Sequence, residues 1–494
     1  MHKSRFQSNL GSALALAILG MLALALFAQS KALAQSEQPP NKWSRPIPIS
    51  RGLPGSWYPS IAVTDNGLVT AIWTATQDNQ NTIYLSQNNG IAWSRPIDIL
   101  IGGLHADLRL DGRNMLHLMY GDLGNVYVSD ARVENASTAK DWNQPLKVSR
   151  QAAVPGDVTI APDGTLHAVW LEKSDKDTAQ AVYGQSQDGG ESWSRYRAVG
   201  EDALDKSRVR ITRNLTGTLY SIWSARARDN RAEGVALNVS ENNGETWLDN
   251  PRTLAFDDEP IRQPALAVDK NNALVLVYNF GVKDESFFQI STDDGKTWTD
   301  QKPIPGLFAA NPATGNDYFA LATDSSGLVH LIAVGRNSKD QKAPGIYHTT
   351  WDGTTWSEPE EIYRQNTFIE FPDIAIANGN QLHVVFSTRD LYRVSGAPDS
   401  SYQVWYANLQ TNAPAATLQP LQTFTPKPSA TTTPQATAEP TRRPSATPFP
   451  TGPEDSTSSS DSPNPYLPIL TAVLPVVLIV AVVLLTSRAF RRRR

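Results

Sequence analysis

An octapeptide with glycine in the fifth place and tryptophan in the last recurs along this chain of 494 residues. Its copies are STDDGKTW at Ser291–Trp298, SQDGGESW at Ser186–Trp193, SENNGETW at Ser240–Trp247, SQNNGIAW at Ser86–Trp93 and TTWDGTTW at Thr349–Trp356. Each copy follows an alternating apolar run and precedes a short polar–apolar stretch, which is typical of a hairpin turn. In four copies the Asp or Asn in third place can bind backbone N–H groups. Glycine adopts a conformation that other residues resist, and tryptophan anchors the next strand.

A unit of four predicted strands repeats from Trp43 to about Leu409. The first strands of the units lie near Ile61, Asp107, Asp157, Arg208, Pro264, Tyr318 and Pro372. The tryptophans that open the fourth strands stand roughly fifty residues apart, at Trp43, Trp93, Trp142, Trp193, Trp247, Trp298 and Trp356. The two series are offset, because Trp43 precedes every first strand and the last unit has only three strands of its own.

This offset predicts a closed ring. If the N-terminal strand around Trp43 completes the last unit, no sheet edge is left open between the ends of the chain. The sequence therefore predicts an all-β fold, a β-propeller of seven four-stranded blades closed by the N-terminal strand.

The octapeptide resembles the Asp-box, or BNR repeat, S-x-D-x-G-x-S/T-W, of sialidase-like β-propellers. The resemblance covers nearly all of residues 43–409 and implies a propeller fold. It implies little about chemistry, because in that family the box is a structural turn away from the ligand site. Members of the sialidase family proper have six blades, so seven repeats already depart from that pattern.

The two ends of the chain predict export and membrane anchoring. Residues 1–34 combine a basic start, an apolar run and small residues before Gln35, which is typical of a signal peptide, with an uncleaved anchor as the alternative. The predicted propeller occupies 35–410, and the Pro/Thr/Ser-rich residues 411–465 predict a disordered stalk. Residues 466–486 are uncharged and long enough for one transmembrane helix, followed by a basic tail at 487–494.

The positive-inside rule places this basic tail in the cytoplasm. We therefore expect a single-pass protein of the cell membrane with the propeller outside the cell.

Composition argues against several kinds of site. The chain has no cysteine, so it can form neither a disulfide framework nor a thiolate metal site. Its formal charge of −5 and the lack of a basic stripe argue against nucleic acid as a partner. Four histidines share one position of the predicted second strands: His117, His167, His330 and His383. They would lie on four different blades, so we interpret them as packing residues, and we expect neither a metal nor a cofactor.

Propellers bind ligands at the mouth of the central channel, where the first strands begin. Aligning the repeats places one set of residues at one level of this ring: Ser60, Asp107, Asp157, Arg208, Ala265, Phe319 and Asp373. Three positions earlier stand Trp57, Leu104, Val154, Asp205, Arg262, Asn316 and Glu370. A mouth with acids, arginines and aromatic rings predicts a carbohydrate or peptide ligand, although any solvated channel rim would also be polar.

The candidate ligand-binding residues are accordingly Trp57, Tyr58, Asp107, Asp157, Arg208, Arg262, Glu370 and Asp373. The resemblance to sialidases implies a catalytic alternative for some of them. That family uses an arginine from an R-I-P motif, a tyrosine nucleophile paired with a glutamate, and an acidic aspartate. In this chain Trp57-Tyr58-Pro59 stands in place of the motif, and the residues of matching type are Tyr318, Glu370, Asp107 and Asp157.

Two functions remain open at this point. The first is a cell-surface binding module that recognises glycans, a peptide or a partner protein through the mouth. The second is a glycoside hydrolase of exo-α-sialidase-like type. Three arginines converging on one pocket beside a Tyr–Glu pair would favour the hydrolase, and their dispersal would favour binding.

Overall fold

The structure is a computed structural model, which describes residues 42–53, 55–77, 80–173, 178–204, 208–226, 233–255, 261–280, 283–310, 319–365, 367–390 and 402–416. All of them fall within the unit Met1–Thr425, and a second unit, Pro426–Arg494, lies outside the described residues. The predicted signal peptide, transmembrane helix and basic tail, and most of the predicted stalk, also lie outside them. No helix of the described ranges is both long enough and apolar enough for a membrane crossing.

The described residues form 28 β-strands and one short 3-10 helix at Ala139–Asp141. The first fourteen strands are β1 (Ile47–Pro48), β2 (Ser56–Val63), β3 (Val69–Gln77), β4 (Gln80–Asn88), β5 (Ile97–Ile101), β6 (Leu104–Leu110), β7 (Met115–Asp122), β8 (Asn125–Arg132), β9 (Leu146–Lys147), β10 (Ala153–Ile160), β11 (Leu166–Lys173), β12 (Thr178–Ser186), β13 (Ser194–Leu204) and β14 (Arg210–Arg213). The others are β15 (Leu219–Arg226), β16 (Glu233–Ser240), β17 (Arg252–Ala255), β18 (Ile261–Val268), β19 (Leu274–Phe280), β20 (Glu285–Ser291), β21 (Lys302–Ala309), β22 (Phe319–Thr323), β23 (Val329–Arg336), β24 (Gly345–Trp351), β25 (Glu360–Arg364), β26 (Thr367–Ala377), β27 (Gln381–Asp390) and β28 (Gln403–Gln410).

These strands pair antiparallel and lie mostly beside their neighbours in sequence. Three sheets have four strands each, namely β2–β5, β6–β9 and β26–β28 with β1. The remaining strands form two sheets of eight, β10–β17 and β18–β25. In the first of these, only Ala203 and Ala225 join the two halves. We use the name units 1 to 7 for β2–β5, β6–β9, β10–β13, β14–β17, β18–β21, β22–β25 and β26–β28 with β1.

The ends of this series meet. β1 pairs with β28 through Ile47 with Tyr406 and Pro48 with Trp405, so the predicted pairing of the N-terminal strand with the last unit is confirmed. The first strands of successive units contact one another, and β26 of unit 7 contacts β2 of unit 1. This closed cycle of antiparallel sheets, almost free of helix in the described ranges, is consistent with a β-propeller.

The second strand of each unit supplies much of the core. These strands are mostly apolar and are buried along most of their length, as expected for strands that are covered on both faces. Trp73, Trp170 and Trp223 lie on the second strands of units 1, 3 and 4, and each is at most 1% exposed. Truncating a buried tryptophan of this kind costs about 3–5 kcal/mol, so these residues fix the packing between neighbouring units.

The repeated octapeptide forms the turn between the third and fourth strands. In the copy at Ser291–Trp298, Asp293 accepts hydrogen bonds from the backbone N and the hydroxyl of Thr297, at 2.8 and 2.6 Å. Gly295 has a φ of +81°, and a Cβ atom there would lie 2.1 Å from Leu237 Cδ2 of the preceding unit. Glycine is therefore needed both for the backbone conformation and for the close approach, and the predicted turn chemistry is confirmed.

The four histidines of the second strands are buried, and each makes a hydrogen bond. Their partners are Asp130 for His117 (2.5 Å), Tyr183 for His167 (2.7 Å), His348 for His330 (2.9 Å) and Tyr406 for His383 (2.8 Å). Their interpretation as packing residues is confirmed by their exposure, which is at most 7%. Within the described ranges, no group of three acids or histidines is suited to a metal ion.

Candidate functional site

The first strands all begin at one end of the ring, which we call the mouth. Near the mouth, the pairing between first and second strands shifts register in units 1, 2, 3, 5 and 7, which marks a β-bulge. In four of these bulges one residue has a left-handed backbone: Tyr58 (φ +49°), His105 (φ +53°), Gln263 (φ +48°) and Phe371 (φ +55°). Because a bulge re-aims a side chain, these residues depart from the plain alternation of the strand.

Three of these four bulge residues are aromatic, and their rings touch across unit boundaries. The ring centroid of Tyr58 lies 3.9 Å from that of His105 and 4.0 Å from that of Phe371. Trp57 extends the row, with its centroid 4.5 Å from that of Tyr58 and 5.6 Å from that of Tyr402. We call Phe371, Tyr58 and His105, from units 7, 1 and 2, the aromatic arc. The arc keeps part of its surface open to the mouth, and His105 is its most exposed member.

Two residues further along the same strands, acids and arginines form a layer across the axis. Arg109 stands at its centre, with Nη2 3.0 Å from Asp107 Oδ1 and 2.8 Å from Asp157 Oδ1. Its Nη1 lies 3.8 Å from Asp373 Oδ2, and Arg208 Nη2 lies 3.7 Å from Asp107 Oδ1. We call Arg109, Asp107, Asp157, Asp373 and Arg208 the ionic layer.

Each acid of the ionic layer also binds the backbone of the next unit. The links are Asp373 Oδ2 with Ile61 N (3.0 Å), Asp107 Oδ2 with Val158 N (3.1 Å) and Asp157 Oδ2 with Ile211 N (3.4 Å). Ser60, at the same level of unit 1, donates to Asp373 Oδ2 at 2.6 Å and accepts from Leu108 N of unit 2 at 3.1 Å. A buried N–H group without a partner is costly, so these side chains tie the first strands of units 7, 1, 2, 3 and 4 together.

The protonation of the ionic layer is set by burial and by its own charges. Burial raises the pKa of Asp107 to about 7, against the attraction of Arg109 and with the repulsion of Asp157 and Asp373. The Asp107 side chain is only 1% exposed. Burial alone would also raise the pKa of Asp157, but the nearby arginines, Arg109 first, outweigh it and hold that pKa below its usual value. Asp107 therefore takes up a proton more readily than Asp157 does.

An axial cavity of about 300 Å³ lies on the far side of the ionic layer. Its described lining includes Asp157 and Asp373 of the ionic layer and residues further along the first strands, away from the mouth. No residue of the aromatic arc is part of this described lining. Arg210 also lines it, donating to Phe319 O at 3.0 Å. Burial lowers the pKa of Arg210 to about 10, so its guanidinium is still charged at neutral pH. The ionic layer thus forms the floor of the mouth.

The structure brings some of the sequence-based candidates together and separates others. Asp107, Asp157, Asp373 and Arg208 meet in the ionic layer, and Trp57 and Tyr58 meet at the aromatic arc. Glu370 instead faces Arg389 of its own unit, with Nε–Oε2 and Nη2–Oε1 distances of 3.1 and 3.2 Å. Tyr318 and the side chain of Arg262 lie outside the described residues.

Sequence reasoning missed His105, Phe371 and Arg109. His105 and Phe371 precede Asp107 and Asp373 by two positions, the offset that also separates Tyr58 from Ser60. A third aligned level at this offset would have shown an aromatic set. Arg109 follows Asp107 by two positions, and the same offset from Arg208 gives Arg210, so the strand period of two could have indicated both.

The convergence of arginines differs from what the hydrolase hypothesis requires. Arg109, Arg208 and Arg210 do converge near the axis, but Asp107, Asp157 and Asp373 surround them. A guanidinium that already binds carboxylates has fewer donors to offer a ligand. Arg208 is the most exposed residue of the layer, with 37% of its side chain exposed. It lies close enough to His105 for its charge to lower the pKa of that imidazole.

His105 links the aromatic arc with the ionic layer. Its ring is accessible from the mouth, and the enclosing protein and then the charge of Arg208 lower its pKa to about 4. The imidazole is therefore neutral at pH 7. A neutral, flat ring beside Tyr58 is suited to stacking rather than to binding anions.

Comparison with known proteins defines a fold. No protein-family model matches the chain, and no curated protein matches it. The likeness to solved structures of low sequence identity supports the β-propeller fold and shows the fold alone.

One of these structures is a PL25 ulvan lyase bound to a GlcA(1-4)Rha3S saccharide, with 10% identity and a TM-score of 0.52 over 74% of this chain and 93% of that one. Another is the polysaccharide lyase Uly1, with 12% identity and a TM-score of 0.50 over 74% and 91% of the two chains. The Hadza microbial sialidase Hz136 matches with 14% identity and a TM-score of 0.45, over 72% and 75%.

Proposed function

We propose that this protein binds carbohydrate at its mouth and uses the aromatic arc as the stacking surface. The observation that carries the proposal is the contact of Phe371, Tyr58 and His105 across three units, at centroid distances of 4.0 and 3.9 Å. Aromatic rings offer a flat apolar face, and tyrosine adds a polar tip, which together match the apolar face and hydroxyl rim of a sugar. The solved lyase complex of the same fold makes a saccharide the first ligand to test.

The opposite side of the mouth supplies polar groups. Arg208 has 37% of its side chain exposed, and Gln263 stands at the bulge of unit 5 that corresponds to Tyr58. A guanidinium can donate paired hydrogen bonds to a carboxylate or sulfate on a sugar. An apolar face with a few placed polar groups is the usual composition of a ligand site.

Substitution by asparagine tests this proposal without disturbing the bulges, because asparagine tolerates the left-handed backbone better than other residues do. We expect Tyr58→Asn and Phe371→Asn to weaken binding of an array-selected saccharide by about tenfold, corresponding to ~1.4 kcal/mol. Leu215→Asn is the control, since Leu215 is 78% exposed in the β14–β15 turn, at the end of the strands opposite the mouth. Arc variants that bind as tightly as the parent protein would contradict the proposal.

A glycoside hydrolase of exo-α-sialidase-like type is the second candidate. It is favoured by the raised pKa of Asp107, since a general acid must hold a proton at working pH. Against it, Asp107 is 1% exposed in the floor of the mouth and Glu370 is engaged by Arg389. A screen with chromogenic glycosides tests it. Turnover that Asp107→Asn abolishes, in a variant that still folds, would favour the hydrolase over a binding module.

We further propose that the 28 strands form seven blades. The support is the closed cycle of first strands and the weak joints inside the larger sheets, such as the single pair Ala203–Ala225. Each large sheet then consists of two blades that touch near the mouth. Electron microscopy or crystallography of the protein would count the blades directly.

We also propose that the protein is anchored in the cell membrane with its mouth outside the cell. The support is the predicted signal peptide and apolar span, together with the position where the described chain ends. Ser325 donates to Pro414 O, and Ala416 N donates to Asn378 O at 2.8 Å, at the end of the first strands opposite the mouth. A tether that starts there leaves the mouth unobstructed. Protease added to intact cells should release a soluble domain, whereas protection until the membrane is opened would reverse the orientation.

A further inference from the structure

Two apolar side chains stand exposed beside the aromatic arc, one on the mouth side of unit 1 and one on that of unit 2. Leu123 is 90% exposed and Ile101 is 72% exposed. The loops that hold them touch, because a Cβ atom at Gly102 would lie only 2.7 Å from Asp122 Oδ1. We call Ile101 and Leu123 the apolar ridge.

The ridge continues the arc outward. Leu104 of the first strand of unit 2 pairs with Gly121 of the second strand. His105 directly follows Leu104, and Leu123 lies two residues after Gly121. Since strand residues rise about 3.3 Å each and paired strands lie about 5 Å apart, Leu123 is roughly 10 Å from His105. The arc and the ridge together thus span more than the length of a single sugar ring.

The backbone at Leu123 is unusual for this residue type. Leu123 (φ +47°) and Gly124 (φ +74°) form the two-residue turn between Asp122 and Asn125. Such turns favour Asn, Asp or Gly. Of the ten non-glycine residues with positive φ in the described ranges, five are Asn or Asp, four are the mouth bulge residues, and the remaining one is Leu123.

Leucine at this turn is thus disfavoured by the backbone and gains almost no burial within the chain. The left-handed conformation costs a residue with a Cβ atom about 1–2 kcal/mol. A contact outside the chain would account for a leucine at this position.

We propose that the apolar ridge is an outer subsite, and that the mouth takes an extended stretch of a glycan chain rather than one terminal sugar. This inference rests on the proposed function. The ionic layer closes the floor of the mouth, so the described residues form a shallow strip there instead of a deep pocket for a chain end. Aliphatic side chains without hydrogen-bonding groups fit the apolar faces of successive sugars.

A lipid surface is the competing occupant of exposed aliphatic side chains, and the local charge argues against it. Asp122 adjoins Leu123, and the exposed Asp98 lies on β5, which ends at Ile101. Membrane-binding loops instead combine apolar residues with Lys and Arg, which attract anionic lipids. The ridge has acids in those places.

Leu123→Asn is the decisive variant, because asparagine suits the turn and should leave folding unchanged. The probes are oligogalacturonates and cello-oligosaccharides, from disaccharide to dodecasaccharide, titrated by calorimetry against the full-length protein in nanodiscs. We expect affinity to rise with chain length, and Leu123→Asn to weaken the longest bound chains by about tenfold while leaving the disaccharide unchanged. Leu215→Asn is the matched control, since Leu215 is 78% exposed in the β14–β15 turn at the opposite end of the strands.

The inference is overturned if affinity does not depend on the length of the saccharide, or if Leu123→Asn leaves the affinity for long chains intact. The proposed function would still stand in either case, provided that binding depends on the aromatic arc. If the parent protein binds no saccharide at all, both the outer subsite and the proposed function are overturned. Vesicles of phosphatidylcholine and phosphatidylglycerol form the other arm of the test. Co-sedimentation that Leu123→Asn abolishes would assign the ridge to lipid and overturn the glycan subsite.

Discussion

The aromatic arc and the ionic layer lie on the same first strands, two residues apart. They differ in the partners of their side chains and in how much of each side chain is exposed. In the ionic layer, Asp107 has Arg109 and Val158 N as partners and is 1% exposed. In the arc, Tyr58 and His105 touch each other and still present surface to the mouth. Charge near the axis of such a ring is therefore not by itself a sign of a ligand site.

The difference has a physical cause. A charge taken out of water costs several kcal/mol unless it is paired and hydrogen-bonded, so acids near the axis need arginines and backbone N–H groups. Aromatic rings carry no such requirement and remain available for a ligand. The comparison predicts that changes in the layer alter stability and that changes in the arc alter binding.

The largest effect should come from breaking the ring that both levels share. Deleting residues 41–50 removes β1 and Trp43, which is 8% exposed and donates to His348 at 3.3 Å. The edge of β28 is then unpaired where units 7 and 1 meet. Two contacts join these units there: the ring contact of Phe371 with Tyr58 and the hydrogen bond from Ile61 N to Asp373. We expect aggregation, or a fall in melting temperature on the order of 10 °C, measured by circular dichroism. A truncated protein that melts with its parent would show that β1 does not close the ring.

The next effect isolates the ionic layer. Arg109→Met removes the cation that faces Asp107, Asp157 and Asp373, and an uncompensated buried charge costs about 3–5 kcal/mol in the free energy of unfolding. Urea denaturation measures this cost. Arg389→Met is the control, because its partner pair with Glu370 is more exposed and should contribute about 1 kcal/mol or less. Equal losses in the two variants would remove the distinction between the layer and an ordinary surface pair.

Sequence reasoning predicted the fold better than the roles of site residues. The octapeptide encodes its turn locally, since Asp293 and Gly295 act within a few residues, and the offset of Trp43 indicated the pairing of β1 with β28. The alignment placed Asp107, Asp157 and Asp373 at one level, which the structure brings into one layer. Their backbone partners could not be predicted, because the stagger between neighbouring first strands decides which N–H group lies opposite each carboxylate.

The aromatic arc was only partly predictable. Trp57 and Tyr58 were singled out as stacking faces, but His105 and Phe371 were not. Both lie in bulges with left-handed backbones, a conformation that a bulky residue such as Phe371 rarely adopts. A bulge adds a residue to one strand, so a simple repeat alignment does not show which side chain it turns toward the mouth.

A smaller effect concerns the pH dependence of stability. The folded pKa of Asp107, about 7, lies above its usual value, so the folded state retains a proton that the unfolded chain loses above about pH 4. The free energy of unfolding should therefore fall as pH rises from about 4 to 7, by on the order of 1–3 kcal/mol. Asp107→Asn mimics the protonated acid and should flatten this slope in urea titrations.

Asp157 does not interfere in that window. Its pKa lies below the usual value, so its contribution to stability is present above about pH 4 and is lost only at lower pH. Parallel stability curves for the parent and Asp107→Asn between about pH 4.5 and 7.5 would show that Asp107 is ionised throughout, and that the layer holds no proton.

The smallest expected effect is an absence of pH dependence in saccharide binding. The enclosing protein and Arg208 lower the pKa of His105 to about 4, so its ring stays neutral from about pH 5 to 8 and the arc keeps one charge state. Affinity for an array-selected saccharide, measured by calorimetry across this range, should vary by less than about twofold, or ~0.4 kcal/mol. His105→Asn should bind more weakly and with the same flat profile.

A loss of affinity with a midpoint near pH 6.5 would mean that His105 titrates like a free imidazole. Arg208 would then not act on the ring, and the arc and the ionic layer would be electrostatically separate.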